Sequence, residues 1–183
     1  MRIGVYGGSF NPPHVGHAMV AGWLRWTERV DAVLFVPTFA HAFGKELAPF
    51  DLRVRMCAML CADLGPWASV SRIESELGGT SYTVRTLDAL AQAAPEHRFH
   101  LVVGADVVAQ TALWREWDRI ERVYAPILVG RAGHAPVPEA PEFPAISSTD
   151  IRARMAAGQS IAHLVPASVR RILQQEGTAV YDR

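Results

Sequence analysis

The residues best equipped for chemistry are His14 and His17, three apart at the end of GGSFNPPHVGH, the stretch from Gly7 to His17. At that spacing two imidazoles share one face of a helical first turn, where both can donate hydrogen bonds to phosphoryl oxygens. The rigid Pro12-Pro13 pair leads into a helix beginning near His14, whose free backbone N–H groups and dipole favour an anion. Gly7 and Gly8 permit close backbone approach, and Gly16 leaves room between the imidazoles for a flat base or a ribose. The spacing is neither G-x-G-x-x-G nor G-x-x-x-x-G-K-[ST], so neither a dinucleotide fingerprint nor a P-loop fits. Taken by themselves, two histidines that merely cap and pack fit equally well.

A second constellation lies in ISSTDIR, Ile146 to Arg152. Ser147, with Asp150 three residues on, reads as a capping-box-like helix start that leaves backbone amides open to an anion, and Arg152 adds a charge-assisted donor. That suits the outer phosphates of a triphosphate; an ordinary capped helix with a solvent-facing arginine is the alternative. Arg154 falls on a different face and is expected in solvent. In mid-chain, Thr80 or Ser81 can cap a helix whose amides either receive a carboxylate or stay solvated. Trp114 and Trp117 are spaced for neighbouring turns, so that one packs on the core while the other offers a stacking face, or both pack. Asp106, just after Gly104, is placed to hydrogen-bond a ribose or to cap a helix.

These side chains need a scaffold, and hydrophobic periodicity supplies one. RIGVYG (2–7), AVLFVP (32–37), ASVSRI (68–73), FHLVVG (99–104) and APILVG (125–130) read as strands, several of them apolar throughout. HVGHAMVAGWLRWTERV (14–30), FDLRVRMCAMLCADL (50–64), SYTVRTLDALAQAA (81–94) and LWREWDRIERV (113–123) alternate with them as helices. That alternation predicts an α/β fold, a Rossmann-like doubly wound parallel sheet with helices on both faces, and ligands at the carboxyl ends of the strands. Gly7-Gly8 would then lie just past the end of the first strand. The proline-rich stretch 131–145 is expected to be an extended connector, and 146–177 a closing segment of two helices too small for its own core.

Composition narrows the function. With 183 residues, half of them hydrophobic, residues 1–183 are expected to form a single domain. The net charge of zero lacks the basic excess of a general nucleic-acid binder. No apolar run of about 20 residues suits a membrane span, and no signal-peptide layout is present, so a cytoplasmic protein is expected. Cys57 and Cys61, four apart, suit two buried thiols on one helix face better than a metal site.

GSFNPPHVGH resembles the H-x-G-H signature of the adenylyl- and cytidylyltransferases related to class I aminoacyl-tRNA synthetases, and ISSTDIR resembles the I-S-S-T-x-I-R motif of that superfamily. GTSYTVRTLDAL, VVGADVVAQTALWREW and VPASVRRILQQEG extend the likeness to bacterial nicotinate-mononucleotide adenylyltransferases over nearly the whole chain. The resemblance implies adenylyl transfer from ATP to nicotinate mononucleotide in NAD biosynthesis, with Mg²⁺ bridging triphosphate oxygens largely through water. It implies catalytic roles for His14, His17 and Arg152, and ATP contacts from Gly7, Gly8, Ser9, Phe10, Gly16, Gly104, Asp106, Arg131, Ser147, Ser148 and Thr149. Tyr82 and Thr83 would place the pyridine ring and its carboxylate, Trp114 would stack on the ring, and His41 and Lys45 would bind the mononucleotide. The chain departs from the family where His41 and Lys45 replace adjacent basic residues, and where Arg131 replaces a basic pair. Another phosphate acceptor such as phosphopantetheine, or a nucleotide-binding regulator without catalysis, are the alternatives; a homo-oligomer is left open.

Overall fold

The computed structural model describes residues 1–41 and 44–181, with the backbone alone for Thr178 and Ala179. Six parallel strands form the sheet: β1 (Arg2–Gly8), β2 (Ala32–Pro37), β3 (Ala68–Val70), β4 (Arg98–Gly104), β5 (Ile127–Arg131) and β6 (Glu142–Phe143). Their spatial order is β3-β2-β1-β4-β5-β6. The chain winds outward from β1 to β3, then crosses back to β4 on the other side of β1, so the topological switch point lies between β1 and β4. Both strands end in glycine there, at Gly8 and Gly104.

Consecutive strand residues point to opposite faces, which divides the apolar runs between two cores. Val33, Phe35, Val102 and Val129 pack under α1 (Val15–Trp26), α2 (Phe50–Leu64) and the closing helices α7 (Ser148–Ala156) and α8 (Ala167–Glu176). Val5, Val36, Leu101 and Val103 pack under α3 (Ile73–Leu77), α4 (Thr83–Ala93) and α6 (Trp117–Tyr124). A four-residue helix, α5 (Ala105–Val108), and a tight turn at Thr111–Leu113 fill the link from β4 to α6. Cys57 and Cys61 are free, buried thiols on the sheetward face of α2; burial pushes the Cys57 thiol up and that of Cys61 to about 12.

The sheet differs from the sequence reading in four places. Gly7 and Gly8 are inside β1, paired with Val36 and Pro37, rather than beyond its end. The third strand stops at Val70, because Ser71 Oγ accepts the Ile73 amide and turns the chain into α3. The helix at 113–123 begins only at Trp117, since Glu116 takes up the left-handed region (φ 56°). The connector at 131–145 contributes β6, whose Phe143 is buried; Gly130 admits it, because a Cβ there would lie 2.5 Å from the Pro141 carbonyl oxygen. No helix among the described residues is long and apolar enough to cross a membrane.

Candidate active site

A cavity of about 910 Å³ opens at the carboxyl ends of β1 and β4, within the size range of small-ligand sites. Every site residue expected from the sequence lines it except Arg152. Its floor is the end of β1 with Ser9 and Phe10, together with Gly104. One wall is the start of α1; the others are the starts of α4 and α7 and the link carrying Asp106 and Trp114.

His14 is the N-cap of α1, and its ring stacks on that of His17 with centroids 3.7 Å apart. The His14 backbone N–H donates to His17 Nδ1 at 3.1 Å, so Nδ1 is the bare nitrogen and the ring proton sits on Nε2. His14 Nδ1 is buried without a hydrogen-bond partner among the described residues. A bare lone pair is cheaper to leave there than an N–H, so this proton also belongs on Nε2. Burial and the nearby Arg131 cation lower the His14 imidazole to about 4. Burial, His14 and Arg131 hold His17 well below its ordinary value. Near neutral pH the pair thus presents two neutral N–H donors.

The amides expected at this helix start are partly spent. Val15 N–H donates to the Leu164 carbonyl at 2.9 Å and His17 N–H to that of His14 at 3.0 Å, so donation here falls mainly to the imidazoles. The room over Gly16 is taken by the His14 ring, whose Nδ1 would lie 3.0 Å from a Cβ. Phe10 adopts φ 46°, unusual for a bulky residue, and buries its ring between Tyr6, Phe35 and His17.

Across the cavity, Ser147 caps α7 by accepting the Asp150 amide at 3.0 Å, as its spacing predicts. The Ser148 and Thr149 amides make no bond among the described residues and remain for an anion. Ser148 Oγ donates to the Pro12 carbonyl at 2.8 Å, joining the two motifs directly. Arg152 lies behind this turn. It donates to the Asn11 carbonyl at 2.8 Å and sits over the Tyr181 ring, so its guanidinium is placed against the first motif instead of in the cavity. Arg154 pairs with Asp150 at 3.0 Å on the outer face.

Asp106 neither caps a helix nor stands alone: Arg131 Nη1 donates to it at 2.5 Å, while Arg131 Nη2 holds the Ile146 carbonyl at 2.9 Å. Arg131 therefore ties the end of β4 to the approach of α7. Its sequence signal was a single basic residue after an apolar strand.

The remaining wall carries Tyr82, Thr83 and Trp114. Tyr82, rather than Thr80 or Ser81, is the N-cap of α4, and Thr83 opens the helix with an amide unbonded among the described residues. Ser81 is used elsewhere: its hydroxyl and amide bond the Ala40 backbone and fasten the loop that carries His41 and Lys45. Burial, Lys45 and Arg53 lower the His41 imidazole. Trp114 precedes α6 in extended conformation, its ring perpendicular to that of Trp117 at 5.7 Å, so the two do not share one helix. Both rings pack against the second core, and of the two only Trp114 also lines the cavity.

Sequence reasoning missed three polar residues of this wall. Glu74, on α3, accepts the Phe39 amide at 2.9 Å and the Thr86 hydroxyl at 3.1 Å. Arg115 lies over the Tyr82 ring, 5.3 Å from its centroid, at the cavity rim. Glu74 belongs to no spaced motif and Arg115 was passed over between the two tryptophans; Thr86 alone carried a signal, in the SYTVRT run.

Residues 5–154 match the cytidylyltransferase-like family. Chains from Anaeromyxobacter sp. (strain K) and Myxococcus xanthus, both named as nicotinate-nucleotide adenylyltransferases, are 49% and 39% identical, over 96% and 97% of this chain and 95% and 94% of their own. The chain belongs to the nicotinate-nucleotide adenylyltransferases of that cytidylyltransferase-like family. The fold is shared with the Plasmodium falciparum nicotinic acid mononucleotide adenylyltransferase solved with NaAD, at TM-score 0.78, 18% identity and 98% coverage of both chains.

Proposed function

We propose that this chain transfers the adenylyl group of ATP to nicotinate mononucleotide, giving nicotinate adenine dinucleotide and pyrophosphate. The observation that carries the reading is that HVGH and ISST, more than a hundred residues apart in sequence, line one cavity together with Tyr82, Thr83 and Trp114. A phosphate oxygen of the mononucleotide attacks the α-phosphorus, forming a new P–O bond as the bond to the β-phosphate bridge breaks and pyrophosphate leaves. The two Nε2–H groups of His14 and His17 donate to oxygens on the transferring group, and the start of α7 receives the departing phosphates. Arg152, held on the Asn11 carbonyl behind the start of α7, adds positive charge beside those phosphates as charge accumulates on them. No covalent enzyme intermediate is required.

Among the described residues no three His, Cys, Asp or Glu side chains gather as a metal cage, and Asp106 and Glu74 already have partners. Mg²⁺ suits such a site when it arrives on the triphosphate with its water shell, where it supplies charge neutralisation. The reading makes ATP and nicotinate mononucleotide the partners and the cytoplasm the setting.

Pyrophosphate release with ATP and a panel of acceptors tests this. Nicotinate mononucleotide should be preferred at least tenfold over its amide analogue, because the start of α4 offers the Thr83 amide, unbonded among the described residues, and the positive end of the helix dipole, which favour an anionic carboxylate over a neutral carboxamide. Release with phosphopantetheine alone, or with no acceptor, would replace this assignment.

A further inference from the structure

Arg53 of α2 is 1% exposed, and among the described residues no carboxylate forms an ion pair with it. An arginine stays charged in a protein, and a buried charge is costly unless its surroundings compensate. What Arg53 touches is the phosphate-facing turn. Its Nη1 donates to the Ser9 carbonyl at 3.0 Å, across 44 residues, and its Nε to the Ala48 carbonyl at 2.9 Å. The Ala48 amide in turn donates to the side chain of Asn11 at 3.1 Å. One neighbouring carbonyl, that of Asn11, is held by Arg152. Two guanidinium groups that do not line the cavity thus hold carbonyl oxygens of the turn between β1 and α1.

A carbonyl turned into the cavity would repel a triphosphate, whereas one held from behind leaves the turn's positive side to face it. We propose that Arg53 is a positioning residue for ATP: through the Ser9 carbonyl and the Ala48–Asn11 link it fixes the turn that receives the phosphates, and its buried cation lies beneath that turn. The Ser9 and Ala48 carbonyls and the Phe50 ring, 5.5 Å from the guanidinium, compensate the buried cation in part, and an anion in the cavity adds to that compensation. This rests on the assignment of ATP to the cavity. Lysine at this position keeps the charge but cannot hold both carbonyls with a planar fork, and methionine removes the charge while filling much of the volume.

ATP binding is measured directly by calorimetry without acceptor, beside steady-state constants for both substrates, on proteins whose melts show them folded. Arg53→Met should weaken ATP binding at least about 30-fold and Arg53→Lys about three- to tenfold, with the mononucleotide KM within about threefold of wild type in both. Equal losses for both substrates, or ATP binding unchanged in either folded variant, overturn the proposal. In the wild-type protein, the ¹⁵N resonance of the Arg53 Nε–H should shift on saturation with ATP and stay in place with mononucleotide alone; a resonance indifferent to ATP overturns it without any substitution. Wild-type protein that fails to bind ATP removes the functional assignment itself, whereas wild-type binding with an indifferent Arg53 removes only this inference.

Discussion

At the end of the cavity assigned to the phosphates, Phe10, Asn11 and His14 are buried, and the backbone of residues 9–15 is bonded to three distant segments: Ser9 to Arg53 of α2, Asn11 and Pro12 to Arg152 and Ser148 of α7, and Val15 to the Leu164 carbonyl before α8. At the end assigned to the acceptor, Tyr82 is 38% and Leu113 76% exposed, α5 buries no residue, and Arg115 meets Tyr82 only as cation over ring. The first end is fixed before any ligand arrives; the second is assembled from short pieces at the surface. Transfer chemistry needs donors preset around a transition state, while recognition of a ring tolerates, and gains from, a wall that can settle onto it.

If that contrast holds, substitutions at the two ends should fail differently. The largest effect is expected at His17→Ala, which removes a preset donor and should lower kcat at least about a hundredfold with the mononucleotide KM little changed. A folded His17→Ala protein with near-normal turnover would take His17 out of the mechanism and dissolve the contrast. Trp114→Ala, at the other end, should weaken binding by a smaller factor of about five, equally for the acid and amide mononucleotides, since stacking is blind to that difference. A change in the acid-to-amide ratio of specificity constants would show instead that Trp114 reads the carboxylate.

The smallest expected effect is on stability. His14 titrates at about 4 in the folded protein against an ordinary 6.5, so the stability it confers is complete above about pH 6.5 and is lost as pH falls toward 4. His17 is shifted in the same direction. Between pH 7 and 5.5, His14 alone should cost about 1 kcal/mol, a fall in Tm of about 2–4 °C for a chain of this size. A flat Tm over that interval would mean that the histidine pair is solvated in the free protein.

Much of the site was legible because its signals are local. HVGH and ISST each place their groups within one helical turn, and periods of two and 3.6 residues placed the sheet and its main helices. What was not legible depends on long-range partners. Arg53 reads as an ordinary residue of an amphipathic helix until the Ser9 carbonyl, 44 positions away, is found against it. Glu74 sits in a five-residue helix too short to announce itself by period. Phe143 was hidden among prolines, and only the approach over Gly130 makes a strand of its neighbourhood. Arg152 reads as a donor to phosphates, but the Asn11 carbonyl as its resting partner has no signature in ISSTDIR.

The bonds from Ser148 to Pro12 and from Val15 to Leu164 also impose an order on biosynthesis. In a chain made from its N-terminus HVGH is synthesised more than a hundred residues before ISST, and Pro12 and Val15 find these partners only after residue 148 and then residue 164 have been made. Until then the first motif lacks the segments that bind its backbone, so a nascent chain is expected not to retain ATP in a half-built pocket. Nucleotide retention by chains halted at successive lengths would therefore mark completion of the fold, rising only once α7 and the turn before α8 have left the ribosome.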